Sequence, residues 1–170
     1  MIPRYALGFF FVRETGLVEQ VVVFKYYDQA EEYKRVVESE ERLEEEKSLL
    51  ARNMRFYLDQ EEVYINGERV HPRVVDVEVG FQGDYKHPYI LFLIIFRGGF
   101  KRGVNIYENK YEPEVVEYDY RVYWIFPQGA RILSVEMGVP HRLLDKSRIL
   151  VFDVRAGTRV GGYERIEFEL

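Results

Sequence analysis

Two apolar runs separated by a short polar turn occupy the first 27 residues. Residues 4–13 and 17–27 are rich in valine, phenylalanine and tyrosine, and Glu14-Thr15-Gly16 between them supplies a glycine suited to positive φ. Because β-branched and aromatic side chains favour strands over helix, this pattern predicts an N-terminal β-hairpin.

From residue 28 to about residue 60 the apolar positions recur every three or four residues, without an intervening glycine or proline. Asp28, with Glu31 three residues later, has the side chains of a capping box. The apolar stripe is lost across residues 38–46, which are mostly acidic. The segment 28–60 is therefore predicted to be one long acidic helix, or a helical hairpin that folds back near Ser39 or Ser48.

Short strand-like runs fill the rest of the chain. Asn66-Gly67 suits a two-residue type I′ turn, residues 75–81 alternate apolar with polar, and residues 89–96 are apolar throughout. The last run is typical of a central strand that is covered on both faces. Further strands are predicted at residues 104–107, 115–126, 131–137, 148–155 and 163–170. A helical turn or an ordered loop is predicted at residues 140–146.

Together these elements predict an α+β fold in a single domain that spans residues 1–170. Its body would be a mainly antiparallel β sandwich or barrel of seven or more strands. The helical segment 28–60 would be an insertion after the N-terminal β-hairpin. A chain of 170 residues that is 47% hydrophobic and 16% aromatic can bury one substantial core.

The charge is concentrated in one segment. The formal net charge is −5, from 24 Lys+Arg and 29 Asp+Glu, and residues 28–62 hold twelve acids but only six bases. This balance does not favour a generic nucleic-acid binder. It predicts that residues 28–60 contact a protein partner or a second copy of the chain.

Composition also bears on location and source. The chain has no cysteine, which excludes disulfides, thiolate catalysis and cysteine-containing zinc sites. The longest apolar run, residues 89–96, is too short for a membrane-spanning helix, and the N-terminus lacks a signal-peptide pattern. A cytoplasmic protein without membrane contact is expected. Scarce Ser, Thr, Asn and Gln beside abundant charge suggest a thermophilic source.

One loop after the most apolar run combines cations, glycines and an aromatic ring. It reads Arg97, Gly98, Gly99, Phe100, Lys101, Arg102 and Gly103. Such a loop can bind phosphate through backbone N–H groups and cations, and can stack a base on the ring. The competing interpretation is a hairpin loop whose glycines make the turn, and the absence of a GxxxxGK[ST] pattern favours it.

Acidic residues at alternating strand positions form a second candidate site. These residues are Asp76, Glu78, Glu117, Asp119, Glu167 and Glu169. Facing the inside of a barrel, they could hold Mg²⁺ for a metal-dependent phosphohydrolase. The favoured interpretation is that they lie on solvated outer faces and form cross-strand ion pairs.

No catalytic constellation emerges, and no metal or cofactor is predicted. His71, His87 and His141 are dispersed and each adjoins a proline, and no serine lies in a nucleophile motif. The tyrosines are numerous and could form a contact surface or simply mark inward strand positions; the candidates are Tyr26, Tyr27, Tyr107, Tyr111, Tyr118, Tyr120 and Tyr123.

The predicted function is a non-catalytic binding or assembly module that uses the acidic helix and a tyrosine-rich surface. The alternative is a binder of phosphate-containing ligands or nucleic acid, through the 97–103 loop and the charged strand faces.

Overall fold

A computed structural model describes all 170 residues as two β-sheets and two helices. The large sheet has the strand order β11 (His141–Leu144), β12 (Ile149–Val154), β9 (Asp119–Ile125), β1 (Ile2–Val12), β2 (Leu17–Tyr27), β6 (Pro88–Arg97) and β5 (Arg73–Phe81). The small sheet has the order β10 (Arg131–Glu136), β14 (Tyr163–Glu169), β7 (Val104–Lys110), β3 (Glu62–Ile65) and β4 (Glu68–Val70). A two-stranded ribbon joins β8 (Glu114–Val115) to β13 (Arg159–Val160). The prediction of an α+β fold with a sandwich or barrel body is confirmed, and the body is the sandwich.

The N-terminal hairpin lies at the centre of the large sheet. Strands β1 and β2 pair antiparallel from Ile2 opposite Tyr27 to Val12 opposite Val18. On its other side β1 pairs with β9 in parallel, from Tyr5 opposite Asp119 to Phe11 opposite Ile125. This parallel pair is the exception in a body that is mainly antiparallel, as predicted. The intervening chain, more than one hundred residues long, makes the crossover that a parallel pair requires.

One face of the large sheet, called here the inner face, carries the core. Over one half of it lies the small sheet, and the buried cluster between them includes Phe96, Trp124, Leu150, Ile166 and Phe168. Phe10 and Trp124 stack there, with ring centroids 4.0 Å apart. The other half of the inner face is covered by helix.

The helical segment folds back as a hairpin at Ser39. Helix α1 spans Glu32–Val37 and α2 spans Glu40–Gln60, with the Ser39 hydroxyl accepting from the N–H of Arg42. The Tyr33 hydroxyl donates to the Glu46 carboxylate and so ties α1 to α2. Asp28 does not begin a helix directly: it is buried, and its carboxylate accepts from the N–H of Tyr33, 3.0 Å away.

Helix α2 supplies the second part of the core. Its buried Leu58 and the adjoining Leu50, Ala51 and Met54 pack on an inner-face cluster of β5 and β6. That cluster is made of Val74, Val77, Ile90, Phe92 and Ile94. The acidic residues of α2 remain on its exposed side, as the interrupted apolar stripe indicates.

Two local predictions differ from the structure. Residues 141–144 form the edge strand β11, whereas a helical turn or loop was expected, because pairing with β12 overrides the weak local signal. Strand β6 is buried on only one face: alternate residues from Pro88 to Phe96 are buried, and those between them are partly exposed. The continuous apolar run therefore leaves half of its side chains on a face that nothing covers. Neither helix is long and apolar enough to cross a membrane.

Candidate functional site

The outward faces of the two sheets differ in chemistry. The small sheet turns polar side chains outward on β7 and β14, including Glu108, Arg165 and Glu167, and the last two form an ion pair at 2.8 Å. The large sheet turns outward the side chains that alternate with its inner face, and most of them are apolar. Because helices and small sheet both pack on the inner side, this outer apolar face is uncovered.

Cross-strand pairing arranges the outer apolar face in rows. The middle row crosses five adjacent strands without a charge: it begins at Val151, which is 1% exposed, and continues through the partly exposed Tyr123, Phe9, Val21 and Leu93. The neighbouring rows add more apolar side chains, namely Leu7, Phe11, Val23, Leu91, Ile95, Ile125 and Ile149. Neither buried core cluster includes any of these residues.

Aromatic stacking and border charges complete this face. Phe9 stacks on Phe11 at 6.0 Å and on Tyr123 at 5.3 Å. At the border, Arg121 pairs with Asp153 at 2.6 Å, and the Lys25 ammonium lies 5.9 Å from the ring centre of Tyr5. The face thus has an apolar centre and charges of both signs around it, the usual anatomy of a protein interface.

The loop at residues 97–103 is held by bonds within the chain. The N–H of Gly98 donates to Gly16, that of Lys101 to the Asn105 side chain, and that of Gly103 to Leu170. Phe100 packs edge-on against Phe168, at 5.4 Å between ring centres. These N–H groups therefore point at protein acceptors, while the Lys101 and Arg102 side chains are exposed. Arg97 donates to the Thr15 carbonyl at 3.2 Å.

The six acids of the second candidate site lie at three separate places on the two sheets. Asp76 and Glu78 are on β5, at one edge of the large sheet, and Glu117 and Asp119 lie at β9, four strands away. Glu167 and Glu169 are on the outward face of the small sheet, where Arg165 and Arg131 pair with them. They do not converge, because they do not face a common interior. No group of three or more His, Asp or Glu residues could hold a metal ion.

The tyrosine candidates divide between the two sides of the large sheet. Tyr123 is on the outer apolar face, as the register of β9 against β1 requires. Tyr107 on β7 is buried in the core, and Tyr111, which follows β7, and Tyr120 on β9 pack against that core. Tyr26 packs on the second cluster, beneath the helices.

At the end of the core nearest β8, three polar side chains that sequence reasoning missed lie together. Asn109 and Glu164 are cross-strand partners on the inward face of the small sheet, and Glu61 immediately precedes β3. The Asn109 amide N–H donates to Glu61 Oε2 at 2.9 Å. We call Glu61, Asn109 and Glu164 the acid–amide cluster. Its one sequence signal is that Glu164 shares the inward alternation of Ile166 and Phe168.

Electrostatics set this cluster apart from the surface carboxylates. Burial raises the pKa of Glu164 to about 7, and the neighbouring Glu61 adds to the effect. The pKa of Glu61 is raised as well, by burial and then by Glu114, against the lowering effect of the Asn109 hydrogen bond. Burial, followed by the charge of Glu164, also raises the pKa of the Tyr111 and Tyr120 hydroxyls. Two carboxyl groups therefore share an environment that disfavours their charge.

Comparison with known proteins gives only remote structural likeness. No family model and no curated protein sequence matches the chain. The folded domain of LppM from Mycobacterium tuberculosis is similar at a TM-score of 0.46 and 8% identity, over 99% of this chain and 92% of that one. An aminopeptidase N family protein from Idiomarina loihiensis is similar at a TM-score of 0.40 and 8% sequence identity, over 95% of this chain and 29% of that one. A two-domain M1 zinc metallopeptidase is similar at a TM-score of 0.36 and 10% sequence identity, over 99% of this chain and 42% of that one.

Proposed function

We propose that this chain is a non-catalytic assembly module, in which two copies associate through the outer apolar face of the large sheet. The observation that carries the proposal is the contrast between the two outward sheet faces. Water solvates the charged face of the small sheet, whereas the middle row of the large sheet presents four partly exposed, uncharged side chains in succession: Tyr123, Phe9, Val21 and Leu93. A contiguous apolar surface with a polar border is typical of a contact site.

The size of the face fits a small dimer interface. Strands lie about 4.8 Å apart and same-face residues about 6.8 Å apart along a strand, so the three five-residue rows, with twelve apolar and three charged side chains, cover about 500 Å² on each copy. Two such faces would bury about 1,000 Å² together, which reaches the lower limit for a specific protein interface. Sheets that pack face to face also have the interdigitated geometry of a sandwich core.

The charges on this face favour a second copy over a partner of one charge sign. Glu19 and Lys25 lie on the outer side of β2, six residues and about 20 Å apart. A twofold axis in the plane of the sheet and across the strands would place Lys25 of one copy opposite Glu19 of the other. The resulting interface would be isologous and would gain two complementary pairs.

A charge in the middle row tests the interface. Val21→Lys is expected to convert a dimer into a monomer, because the ammonium would be buried against apolar side chains of the other copy. Light scattering coupled to size exclusion measures the mass over a hundredfold range of concentration. The matched control is Ile106→Lys, which adds the same charge at a partly exposed position on the outward face of the small sheet. A parent chain that is monomeric at every concentration contradicts the proposal.

Charge reversal tests the orientation of the two copies. Lys25→Glu alone would set two carboxylates against each other and weaken the dimer. Adding Glu19→Lys to it would restore the complementary pairs and recover the affinity. Sedimentation equilibrium of the single and double variants gives the coupling. If the double variant is as weak as the sum of the two single effects, the twofold arrangement is wrong.

Helix α2 supports a second contact surface of the same module. Phe56 and Tyr57 are about two-thirds exposed and lie edge to face at 5.9 Å. With the exposed acids Glu41 and Glu45, they would suit a basic protein partner. Replacing both acids with lysine should then abolish a salt-sensitive association while leaving the sheet-mediated dimer intact. An association unchanged by this replacement counts against the helical surface.

A further inference from the structure

The acid–amide cluster joins a buried amide to two partly buried carboxyl groups and has no balancing cation. None of the eight ion pairs of the chain includes Glu61 or Glu164. The groups that act on their charges are each other, Glu114, Asn109 and Tyr111, and none of these is basic. Buried carboxylates in proteins are ordinarily paired with a cation, coordinated to a metal or protonated.

Asn109 adds an independent indication that a partner belongs here. The residue is 8% exposed, and its Oδ1 is the buried side-chain atom of the chain that has no hydrogen-bond partner. Its Nδ2 is occupied by Glu61, so the amide is fixed within the cluster with its oxygen free. An orphaned buried acceptor costs about 1–3 kcal/mol unless a donor reaches it. The missing group must therefore donate hydrogen bonds.

We propose that Glu61, Asn109 and Glu164 bind the primary ammonium group of a small amine between the two sheets. Such a group carries three N–H donors and one positive charge, which match the unpartnered Oδ1 of Asn109 and two carboxyl groups that have no cationic partner. Glu61 and Glu164 are both partly exposed, so the cluster is open to solvent at this end of the sandwich.

The surroundings favour an organic ammonium over a metal ion. Ca²⁺ takes six to eight oxygen ligands and Mg²⁺ a near-ideal octahedron, whereas the cluster offers two carboxylates and one amide oxygen. Tyr107, Tyr111 and Tyr120 lie beside it, and aromatic rings stabilise organic cations. A proton alone would satisfy one acceptor and leave no charge to balance the second carboxylate.

Titration with n-butylammonium tests the site. The side-chain amide signal of Asn109, followed by NMR, should shift with saturation in the millimolar range at pH 8. Glu164→Gln should weaken binding at least tenfold. The matched control Glu108→Gln, next to Asn109 in sequence but on the outward face, should leave it unchanged. Tetramethylammonium, which has no N–H donor, and Ca²⁺ serve as comparison probes and should bind at least tenfold more weakly.

The pH dependence separates this site from adventitious binding. Because the ammonium displaces a proton from the carboxyl pair, affinity should fall about tenfold for each pH unit below 7 and stay level between pH 7.5 and 9. The tyrosine hydroxyls, whose pKa values are raised, remain neutral over this range. Absence of saturable binding, equal binding by Glu164→Gln, or preference for Ca²⁺ or tetramethylammonium each overturns the proposal.

Discussion

The backbone of Gly98 lies against the buried side chain of Ile65. A Cβ atom at position 98 would be 2.5 Å from Ile65 Cγ1 and 2.6 Å from its Cβ, closer than real Cβ contacts allow. Ile65 is 1% exposed and is part of the main core cluster, so it has little room to move. This glycine is therefore required for close approach of the loop to the core, a role different from anion binding.

Gly98→Ala should lower the free energy of unfolding by about 1–3 kcal/mol, the usual cost of overpacking a core. The adjacent Gly99→Ala is a matched control, because nothing lies within 4 Å of the added methyl group. Its effect should stay within about 0.5 kcal/mol. Urea denaturation of both variants provides the measurement. Equal stabilities would show that the Ile65 contact does not constrain the loop.

Asn105 should be more costly to replace than any charged residue of the same loop. The side chain is fully buried and makes four hydrogen bonds, to the backbone of Lys101 twice, to Gly103 and to Asn66. Asn105→Ala leaves these groups unsatisfied and should cost about 3 kcal/mol. Lys101→Ala, whose side chain is exposed, should cost less than about 0.5 kcal/mol in the same thermal or chemical denaturation. A larger loss of stability in Lys101→Ala than in Asn105→Ala would contradict the prediction and show that charge anchors the loop.

Asp28 should stabilise the start of the helical hairpin. Its carboxylate accepts from the N–H of Tyr33, while its backbone N–H donates to Lys86 at 2.8 Å. Asp28→Ala should therefore lower the free energy of unfolding by about 1–2 kcal/mol. Asp28→Asn keeps an acceptor and should recover most of the loss. Helical signal in circular dichroism and the denaturation midpoint report the effect, and identical values for alanine and asparagine would contradict it.

The partly buried carboxyl group of Glu164 should make stability depend on pH. Its pKa rises from 4.5 in the unfolded chain to about 7 in the folded one, so folding takes up a proton between these values. The contribution of Glu164 to the free energy of unfolding should therefore be highest below pH 4.5, fall as the pH rises and level off above pH 7. One pKa unit corresponds to about 1.4 kcal/mol. Because Glu164 and Glu61 titrate as a coupled pair, we assign to Glu164 a change of about 2 kcal/mol in the free energy of unfolding.

Glu164→Gln is neutral at every pH and should remove this part of the dependence. The variant should be more stable than the parent by about 2 kcal/mol at pH 8 and similar to it at pH 4, in denaturation without added amines. Parallel pH profiles for the two proteins would show that Glu164 is not the group responsible.

Local pattern was sufficient for most elements of the fold. The hairpin at Gly16, the turn at Asn66-Gly67 and the break at Ser39 follow from turn and cap chemistry that acts over a few residues. The parallel pairing of β1 with β9 was not predictable in this way, because no local signal specifies a partner more than one hundred residues distant. The prediction for β11 was wrong for a related reason, because pairing with β12 and not the local sequence decides its conformation.

The candidate sites show where pattern becomes ambiguous. The apolar run at residues 89–96 identified β6 correctly, but a continuous run is equally compatible with burial by the chain itself and with burial by another molecule. The acid–amide cluster was missed because Glu61, Asn109 and Glu164 are far apart in sequence and meet only through the pairing of β3, β7 and β14.

The position of β9 beside β1 also determines when the large sheet can form during translation. Residues 119–125 are made more than one hundred residues after β1, and at 5–20 residues per second this delay is on the order of ten seconds. Throughout that interval one edge of the N-terminal hairpin has no hydrogen-bonding neighbour. Until β9 is made, the nascent chain therefore carries an open, aromatic strand edge of the kind that can pair with another chain.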